Sequence, residues 1–224
     1  FKLVVICGHS RENTEKLKSF FDIPIYYNND WLGMYEEHPE IDTVCISTSD
    51  WSHKNPVLDA IAHQKNIILE KPMASSLQEA KEMLEKATEA KIKMGLCHVL
   101  RFDTRYLQAK KALENGNFGT VGYIVSRRNA NRSSAQRVQG KIPMAFWLTS
   151  HDIDLMRWFL DSEVVEVYAV ASDFDLKGDF LHVLLKFANG SRGLIEISWF
   201  GPVLHGQQHS LFDIEAEHGR IEVD

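Results

Sequence analysis

The stretch Asn66-Ile-Ile-Leu-Glu-Lys-Pro72 determines the fold class of this 224-residue chain. It opens with a short apolar run, which is typical of a buried strand, and a charged pair and a proline follow directly. Amphipathic helices are predicted on both sides of it, over Lys54–His63 and Leu77–Ala90. Ser76 and Glu79 have capping-box spacing at the start of the second helix. A strand between two helices, with no tight turn, predicts a βαβ unit and a parallel sheet.

Strands and helices of the same kind fill the N-terminal part of the chain. The other strands predicted there are Leu3–Cys7, Thr43–Ser47 and Lys93–His98. A short helix is predicted at Trp31–Glu37, and Asn13 is expected to cap an earlier helix that carries Leu17, Phe20 and Phe21. Since strands alternate with single helices, the parallel sheet is expected to extend over this whole region.

The pattern changes after a predicted helix at Thr104–Asn115. One strong helix, His151–Leu160, interrupts a series of strand-like segments, and Ala188-Asn-Gly190 is a hairpin signal. These segments are Val121–Arg128, Val164–Ala171, His182–Phe187, Gly193–Trp199 and Ser210–Ala216. The sequence therefore predicts an α/β domain over residues 1–100 and an α+β domain with an open, mostly antiparallel sheet over residues 101–224.

Composition excludes several functional classes. The chain is 44% hydrophobic and has a net charge of −6, which argues against a nucleic-acid partner. No apolar run approaches the ~20 residues that span a bilayer, and no leader is visible, so a cytoplasmic protein without membrane contacts is predicted. Cys7, Cys45 and Cys97 show no metal-ligand spacing, and we expect buried, reduced thiols and no metal.

Polar residues follow the predicted strands where parallel sheets bind ligands, at the carboxyl ends. Ser47, Thr48 and Ser49 lead into a helix N-terminus, which suits a ribose or a pyrophosphate. Spacing alone favours the alternative that they only cap the helix. After the next strand, Lys71 can stabilise negative charge on a reacting oxygen. The alternative is a surface ion pair of Glu70 and Lys71.

Several motifs occur in the order found in one enzyme family. They are Ile41-Asp-Thr-Val-Cys-Ile-Ser-Thr48, His53, Asn66-Ile-Ile-Leu-Glu-Lys-Pro72, Arg101-Phe102 and His151-Asp-Ile-Asp154. In these motifs the chain resembles the Gfo/Idh/MocA oxidoreductases over nearly its whole length. The resemblance implies a Rossmann domain, a second domain whose open sheet forms a homodimer or homotetramer interface, and hydride transfer between NAD(P) and a sugar-like or polyol substrate.

The same resemblance implies roles for individual residues. Lys71 would contact both the nicotinamide and the substrate oxygen, and His151 would be the catalytic acid–base group. The substrate contacts would be Lys71, Trp147, His151 and His98. The cofactor contacts would be Gly8, Ser10, Arg11, Ser47, Thr48, Ser49, His53, Glu70, Lys71 and Arg101.

Two departures from the family pattern limit these roles. The chain opens at Phe1 in a strand-like run and ends in the strand-like Ile221–Asp224, so we expect the first strand, the glycine-rich loop and part of the second domain to be missing. Trp147 stands four residues before His151, where many members have an aspartate. Tryptophan cannot exchange protons; it supplies either a flat face for a sugar ring or core packing, and the two interpretations remain open.

The third departure concerns the cofactor. The segment Cys7-Gly-His-Ser-Arg11 lacks the acidic residue that would bind the ribose 2′-hydroxyl of NAD. A hydroxyl and a guanidinium follow instead, and an arginine fork matches a phosphate. We therefore predict a preference for NADP(H), with Ser10 and Arg11 holding the 2′-phosphate. The alternative is that Arg11 is a solvated turn residue.

Two further questions have competing answers. The basic residues Arg127, Arg128, Arg132 and Arg137 would suit an anionic sugar, but a solvated loop, or pairing with acidic residues elsewhere in an oligomer, is the favoured interpretation. An enzyme is favoured by Lys71 and His151, whereas Trp147 favours a non-catalytic NADP(H)-binding regulatory or sensor protein on the same scaffold.

Overall fold

The computed structural model describes residues 2–138, 141–172, 180–199 and 209–224. Contacts divide the chain into two compact units, Phe1–Cys97 and His98–Asp224. Each unit has its own hydrophobic core.

The first unit is an α/β structure with parallel strands. Its strands are β1 (Ile6–Cys7), β2 (Ile25–Tyr26), β3 (Thr43–Ile46), β4 (Asn66–Glu70) and β5 (Met94–Cys97). Its helices are α1 (Arg11–Glu15), α2 (Trp31–Glu37), α3 (Lys54–Ala62) and α4 (Leu77–Glu89). Strands β3, β4 and β5 pair in that order and in parallel, and β1 pairs in parallel with β2. The predicted parallel pairing is confirmed, but the strands form two separate sheets, and β2 was not among the predicted strands.

Side chains of β4 alternate between the core and an open face, as the two-residue period of a strand requires. Ile67 and Leu69 are buried in a cluster with Val57 and Ala60 of α3, whereas Ile68 is exposed. The packed face fixes the register of β4, because a shift by one residue would exchange the two faces.

The prediction for the first helix was partly wrong. Ser10 caps α1, because its Oγ accepts a hydrogen bond from the backbone N–H of Asn13 at 3.4 Å. The helix tightens into a 3₁₀ turn at Lys16–Ser19, so Phe20 and Phe21 lie beyond it and are exposed. By contrast, Ser76 caps α4 as predicted, with its Oγ 3.2 Å from the N–H of Glu79.

The second unit is a six-stranded sheet with helices. Its strands are β6 (Val121–Asn129), β7 (Val164–Ser172), β8 (Phe180–Phe187), β9 (Arg192–Ser198), β10 (His209–Ala216) and β11 (Gly219–Val223). Its helices are α5 (Thr104–Glu114), α6 (Arg132–Val138), α7 (Met144–Trp147) and α8 (Thr149–Leu160). The order is β11-β10-β6-β9-β8-β7, and only β6 and β9 pair in parallel. The predicted fold class is confirmed.

Helix α8 covers one face of this sheet. Leu155 and Met156 of α8 are fully buried in a cluster with Ile195 of β9 and Phe212 of β10. The turn between β8 and β9 is the predicted hairpin, and Gly190 adopts a φ of 95° there, which a side chain would disfavour.

Two of the basic residues, Arg127 and Arg128, lie in strand β6 rather than in a solvated loop, and they pair with acidic residues of the same unit rather than elsewhere in an oligomer. Arg128 and Asp152 form an ion pair with Nη2 and Oδ1 2.9 Å apart, and both side chains are buried. Ser126 Oγ donates to the same Oδ1 at 2.6 Å. Burial is the largest single influence and lowers the pKa of Arg128, but the charge and hydrogen bonds of Asp152, together with Tyr106, outweigh it, so the pKa lies above its usual value.

The neighbouring Arg127 forms an exposed pair instead. Its Nε and Nη2 donate to the carboxylate of Glu196 at 2.8 and 3.2 Å. These two arginines are therefore neutralised within the sheet and do not support an anionic-sugar site. The side chain of Arg137 lies outside the described residues.

Candidate functional site

The residues after β3 form an exposed polar turn. Ser47 and Ser49 are exposed, Thr48 is half-buried, and a 3₁₀ turn at Asp50–Ser52 connects them to α3. No side chain caps α3 or the 3₁₀ turn, so the interpretation of these residues as helix caps was wrong. The exposed side chains of Ser47 and Ser49 are therefore accessible to a ligand at the carboxyl end of β3.

The residues after β4 hold Lys71 at the carboxyl end of a buried strand. Glu70 Oε2 accepts a hydrogen bond from the backbone N–H of Lys71 at 3.2 Å. The side chain of Lys71 is half-buried, and the following Pro72 is buried behind a cis peptide bond. The Glu70 carboxylate therefore shapes the backbone that carries the Lys71 ammonium group.

His53 is not placed to contact a cofactor, which corrects the sequence prediction. Its side chain is among the most deeply buried in the chain, with 1% of the residue exposed. Nδ1 lies 3.0 Å from the carbonyl oxygen of Pro72, and Nε2 lies 3.2 Å from that of Thr48. Both polar atoms of the ring thus face the protein backbone.

The end of β1 brings together the three residues predicted to bind the adenosine side. Gly8 donates its N–H to the carbonyl oxygen of Tyr26 at 3.0 Å. A Cβ at Gly8 would lie 2.0 Å from Thr14 Oγ1, so glycine is required there. Ser10 caps α1, and the exposed guanidinium of Arg11 lies 5.2 Å from the ring centre of Tyr27.

In the second unit, a buried carboxylate organises two predicted site residues. Arg101 donates from Nε and Nη2 to both oxygens of Asp154, at 2.8 and 2.7 Å. His98 Nε2 lies 3.5 Å from Asp154 Oδ1. The side chain of Asp154 is 6% exposed, and it therefore holds the Arg101 guanidinium and the His98 ring from inside the unit. The sequence prediction gave Asp154 no role. The signal that the sequence offers for such a role is the three-residue spacing from His151 within the same motif.

His151 and Trp147 occupy different environments. His151 is half-buried in the first turn of α8. Trp147 is only 8% exposed, belongs to the core of the second unit and packs against Trp199, with ring centres 6.2 Å apart. The core-packing interpretation is therefore confirmed, whereas contact of Trp147 with a sugar ring stays a prediction.

The cysteines lie in strands, but none is fully buried, which contradicts the prediction: Cys7 and Cys97 are half-buried. Burial, and to a smaller degree the charge of Asp30, raises the pKa of Cys7 to about 11. Burial, followed by the charge of Glu70, also raises the pKa of Cys97. Cys45 is exposed, which contradicts the expected burial, because it lies on the open face of the β3–β5 sheet beside Ile68.

Chemistry at the strand ends of the first unit fits a dinucleotide. The hydroxyls of Ser10, Ser47 and Ser49 match ribose and phosphate oxygens. The guanidinium of Arg11 matches a phosphate. Its charge also contributes, after hydrogen bonds from Lys18 and Tyr27, to lowering the pKa of the nearby Glu15. Across the described part of the chain, no cluster of metal-ligating side chains is present, and no helix is long and apolar enough to cross a bilayer.

A parallel sheet with polar residues at its carboxyl ends, followed by an antiparallel-sheet unit, defines the class of two-domain dinucleotide-binding oxidoreductase folds. Residues 1–98 match the model "Oxidoreductase family, NAD-binding Rossmann fold", and residues 106–222 match "GFO/IDH/MocA C-terminal domain". The chain belongs to the Gfo/Idh/MocA family.

Relatives of known sequence agree with this assignment. Myo-inositol 2-dehydrogenase of Thermotoga maritima is 30% identical over 198 residues, which cover 84% of this chain and 58% of the relative. 2,7-Anhydro-N-acetylneuraminate hydratase of Mediterraneibacter gnavus is 25% identical over 225 residues, covering 95% of this chain and 58% of the relative. The chain thus spans somewhat more than half the length of these relatives.

Solved structures show the same fold. A probable dehydrogenase from Thermotoga maritima has a TM-score of 0.86 and 24% identity, and the match covers 100% of this chain and 68% of that one. An oxidoreductase from Agrobacterium radiobacter, solved with NAD+, L-tartaric acid and magnesium, has a TM-score of 0.86 and 25% identity, with coverage of 99% and 66%.

Proposed function

We propose that this chain is part of an NAD(P)-dependent oxidoreductase that acts on a CH–OH group of a polyol or sugar-like substrate. The observation that carries the proposal is the position of Lys71, at the carboxyl end of β4 with the adjacent backbone fixed by Glu70. Membership of the family and the similarity to an inositol dehydrogenase support the same activity.

In the proposed reaction the cofactor transfers the hydride, and the protein binds the substrate oxygen and transfers the proton. When bound, the nicotinamide accepts a hydride from the alcohol carbon or returns it to the carbonyl carbon. Lys71 hydrogen-bonds the substrate oxygen and stabilises its developing negative charge. His151 takes the hydroxyl proton during oxidation and gives it back during reduction, so hydride and proton are both accounted for. We further propose that His98, oriented by Asp154, contacts the substrate.

A screen of the full-length gene product tests the activity. We would follow NADPH or NADH absorbance with myo-inositol, other cyclic polyols, aldoses and 2,7-anhydro-N-acetylneuraminate. Turnover of any of these compounds that depends on Lys71 supports the proposal. Dinucleotide binding without turnover would instead support the non-catalytic sensor, which the absence of an acid at position 147 favours.

We also propose a preference for NADP(H), with Ser10 and Arg11 holding the 2′-phosphate and Ser47, Thr48, Ser49 and Arg101 contacting the rest of the dinucleotide. The exposed guanidinium of Arg11 supports this. The three free cysteines and this cofactor suit a reducing compartment, and we propose the cytoplasm.

Replacing Arg11 by Ala is expected to weaken NADPH binding by about ten-fold or more, because a bidentate contact to the 2′-phosphate is lost. NADH binding should change by less than about two-fold, which corresponds to a few tenths of a kcal/mol. Fluorescence titration of wild type and variant with both dinucleotides gives the four dissociation constants. Equal wild-type affinities for NADPH and NADH would contradict the proposed preference.

The open face of the second sheet is proposed as a homodimer or homotetramer interface. Tyr168, Leu184, Leu194 and Val125 pair side by side on β7, β8, β9 and β6 and form an apolar row on this face. Tyr168 and Leu184 are 66% and 51% exposed. An apolar surface of this kind is typical of a contact between protein subunits.

Replacing Leu184 by Asp is expected to shift the oligomer toward monomer, because a charge would be buried in the apolar row. Light scattering over a concentration series measures the shift. Phe20→Asp, on an exposed apolar residue of the first unit, is the control that should leave the mass unchanged. A wild-type protein that is monomeric at all concentrations would contradict the proposed interface.

A further inference from the structure

We infer that His53 is a positioning residue: its buried ring joins the loop after β3 to the loop after β4 and thereby fixes the backbone next to Lys71. The inference rests on the proposed role of Lys71. It replaces the expected cofactor contact of His53 with an indirect role in both cofactor binding and catalysis.

The two loops joined by His53 leave neighbouring strands at the same edge of the sheet. Ile46, the last residue of β3, pairs with Leu69 of β4. The carbonyl oxygen of Thr48 and that of Pro72 then lie on different sides of the ring, 3.2 Å from Nε2 and 3.0 Å from Nδ1. One side chain therefore contacts the backbone of both loops.

The ring is well suited to hold these loops. Because only 1% of His53 is exposed, water does not compete for its two nitrogens. A neutral imidazole donates to one of the two carbonyl oxygens while its other nitrogen packs against the second, and an imidazolium donates to both. If an apolar group replaced the ring, a buried carbonyl oxygen would lose its hydrogen-bond donor in either state. An unsatisfied buried acceptor of this kind lowers the stability of the fold.

The contact at Pro72 matters because this residue follows Lys71 directly. Glu70 Oε2 holds the N–H of Lys71 on one side, and the His53 contact holds the carbonyl of Pro72 on the other. The backbone is thus fixed on both sides of the lysine. A misplacement of a catalytic group by about 1 Å can lower a rate by about 10²-fold. The second contact, at Thr48, fixes the turn whose hydroxyls we propose to bind the dinucleotide.

The test replaces His53 by Phe, which keeps an aromatic ring and removes both ring nitrogens. Leu at the same position provides a second apolar variant. The control is His63→Phe at the far end of α3. His63 also contacts a carbonyl oxygen, that of Asp59 at 2.7 Å, but this lies in its own helix, and the ring packs on Tyr35.

Two readouts are needed, one of which requires no bound cofactor. Hydrogen exchange in the free full-length protein should become faster in peptides covering residues 47–52 and 70–76, and remain unchanged in α4. In the loaded enzyme we expect kcat to fall by about 10- to 100-fold. The KM for the polyol should change by less than about two-fold, since no substrate contact is removed. His63→Phe should match wild type in both readouts.

The outcomes separate this inference from the proposed function. Wild-type exchange in both loops, together with wild-type kcat in a folded apolar variant, would overturn the role of His53. Faster exchange in a protein that neither binds nor turns over a dinucleotide would refute the proposed function and leave the loop contact intact, so His53 would be a structural residue only. If neither apolar variant folds, His53→Gln decides. Its single amide nitrogen can satisfy one carbonyl, so exchange should rise in one loop, and wild-type exchange in both would overturn the inference.

Discussion

Replacing Lys71 by Ala is expected to lower kcat of the full-length protein by about 10²- to 10⁴-fold, the range that a positioned proton donor or charge contributes. The affinity for NADPH should change by less than about ten-fold, or 1.4 kcal/mol, because most dinucleotide contacts are proposed elsewhere. Steady-state kinetics and fluorescence titration on the same preparation measure both quantities. The separation of the two effects identifies Lys71 as a group that acts in the reaction rather than in binding alone.

The control for this variant is Lys86→Ala. Lys86 is an exposed lysine of α4 that forms an ion pair with Glu89 at 3.0 Å. Its loss should leave kcat and affinity within about two-fold of wild type, as expected for a surface pair. A Lys71→Ala enzyme with wild-type kcat would refute the proposed mechanism, even if the cofactor preference were correct.

The second large effect is expected for stability. Replacing Asp152 by Ala should lower the free energy of unfolding by about 3–5 kcal/mol, because the buried guanidinium of Arg128 and the hydroxyl of Ser126 lose their shared partner. Asp152 is fully buried, so water cannot replace the carboxylate without opening the core. Urea unfolding followed by tryptophan fluorescence reports the change, since Trp147 and Trp199 lie in the same core.

The neighbouring arginine provides the comparison. Arg127→Ala removes an equally bidentate but exposed pair, and it should cost less than about 1 kcal/mol. The double variant Asp152→Leu/Arg128→Met should recover much of the loss, because a buried ion pair is often replaceable by apolar side chains of similar size. If Asp152→Ala and Arg127→Ala lowered the free energy of unfolding equally, the conclusion that only the buried ion pair is important for stability would be contradicted.

The sequence predicts the fold well because its signals are local. A strand is predicted from the few residues Asn66–Leu69 alone, and a helix start from Ser76 and its close neighbours. The structure confirms both the strand and the capping serine. At the start of the chain, Ser10 and Asn13 are both good capping residues. The choice between these two similar local signals failed there, and the helix ends before Phe20 and Phe21, which it was predicted to carry.

The candidate site is less predictable because its contacts join distant positions. Arg101 and Asp154 are 53 residues apart, and no periodicity links them. His53 resembles an exposed loop residue in sequence, yet its ring is buried against two backbone carbonyls, which carry no side-chain signal at all. Trp147 shows the same limit. Whether a tryptophan contacts a ligand or packs in the core depends on how deeply it is buried, and burial is not visible in a single sequence.

Gly8 and Thr14 form a pair whose substitutions depend on each other. A methyl group at position 8 would overlap the Thr14 hydroxyl, and Thr14 cannot move away because it is buried and donates to the carbonyl oxygen of Ser10 at 2.6 Å. Larger residues at position 8 are therefore accessible only after position 14 has become smaller, so the effects of the two substitutions are not additive. An evolutionary path through this turn has a fixed order, with Thr14 changing before Gly8.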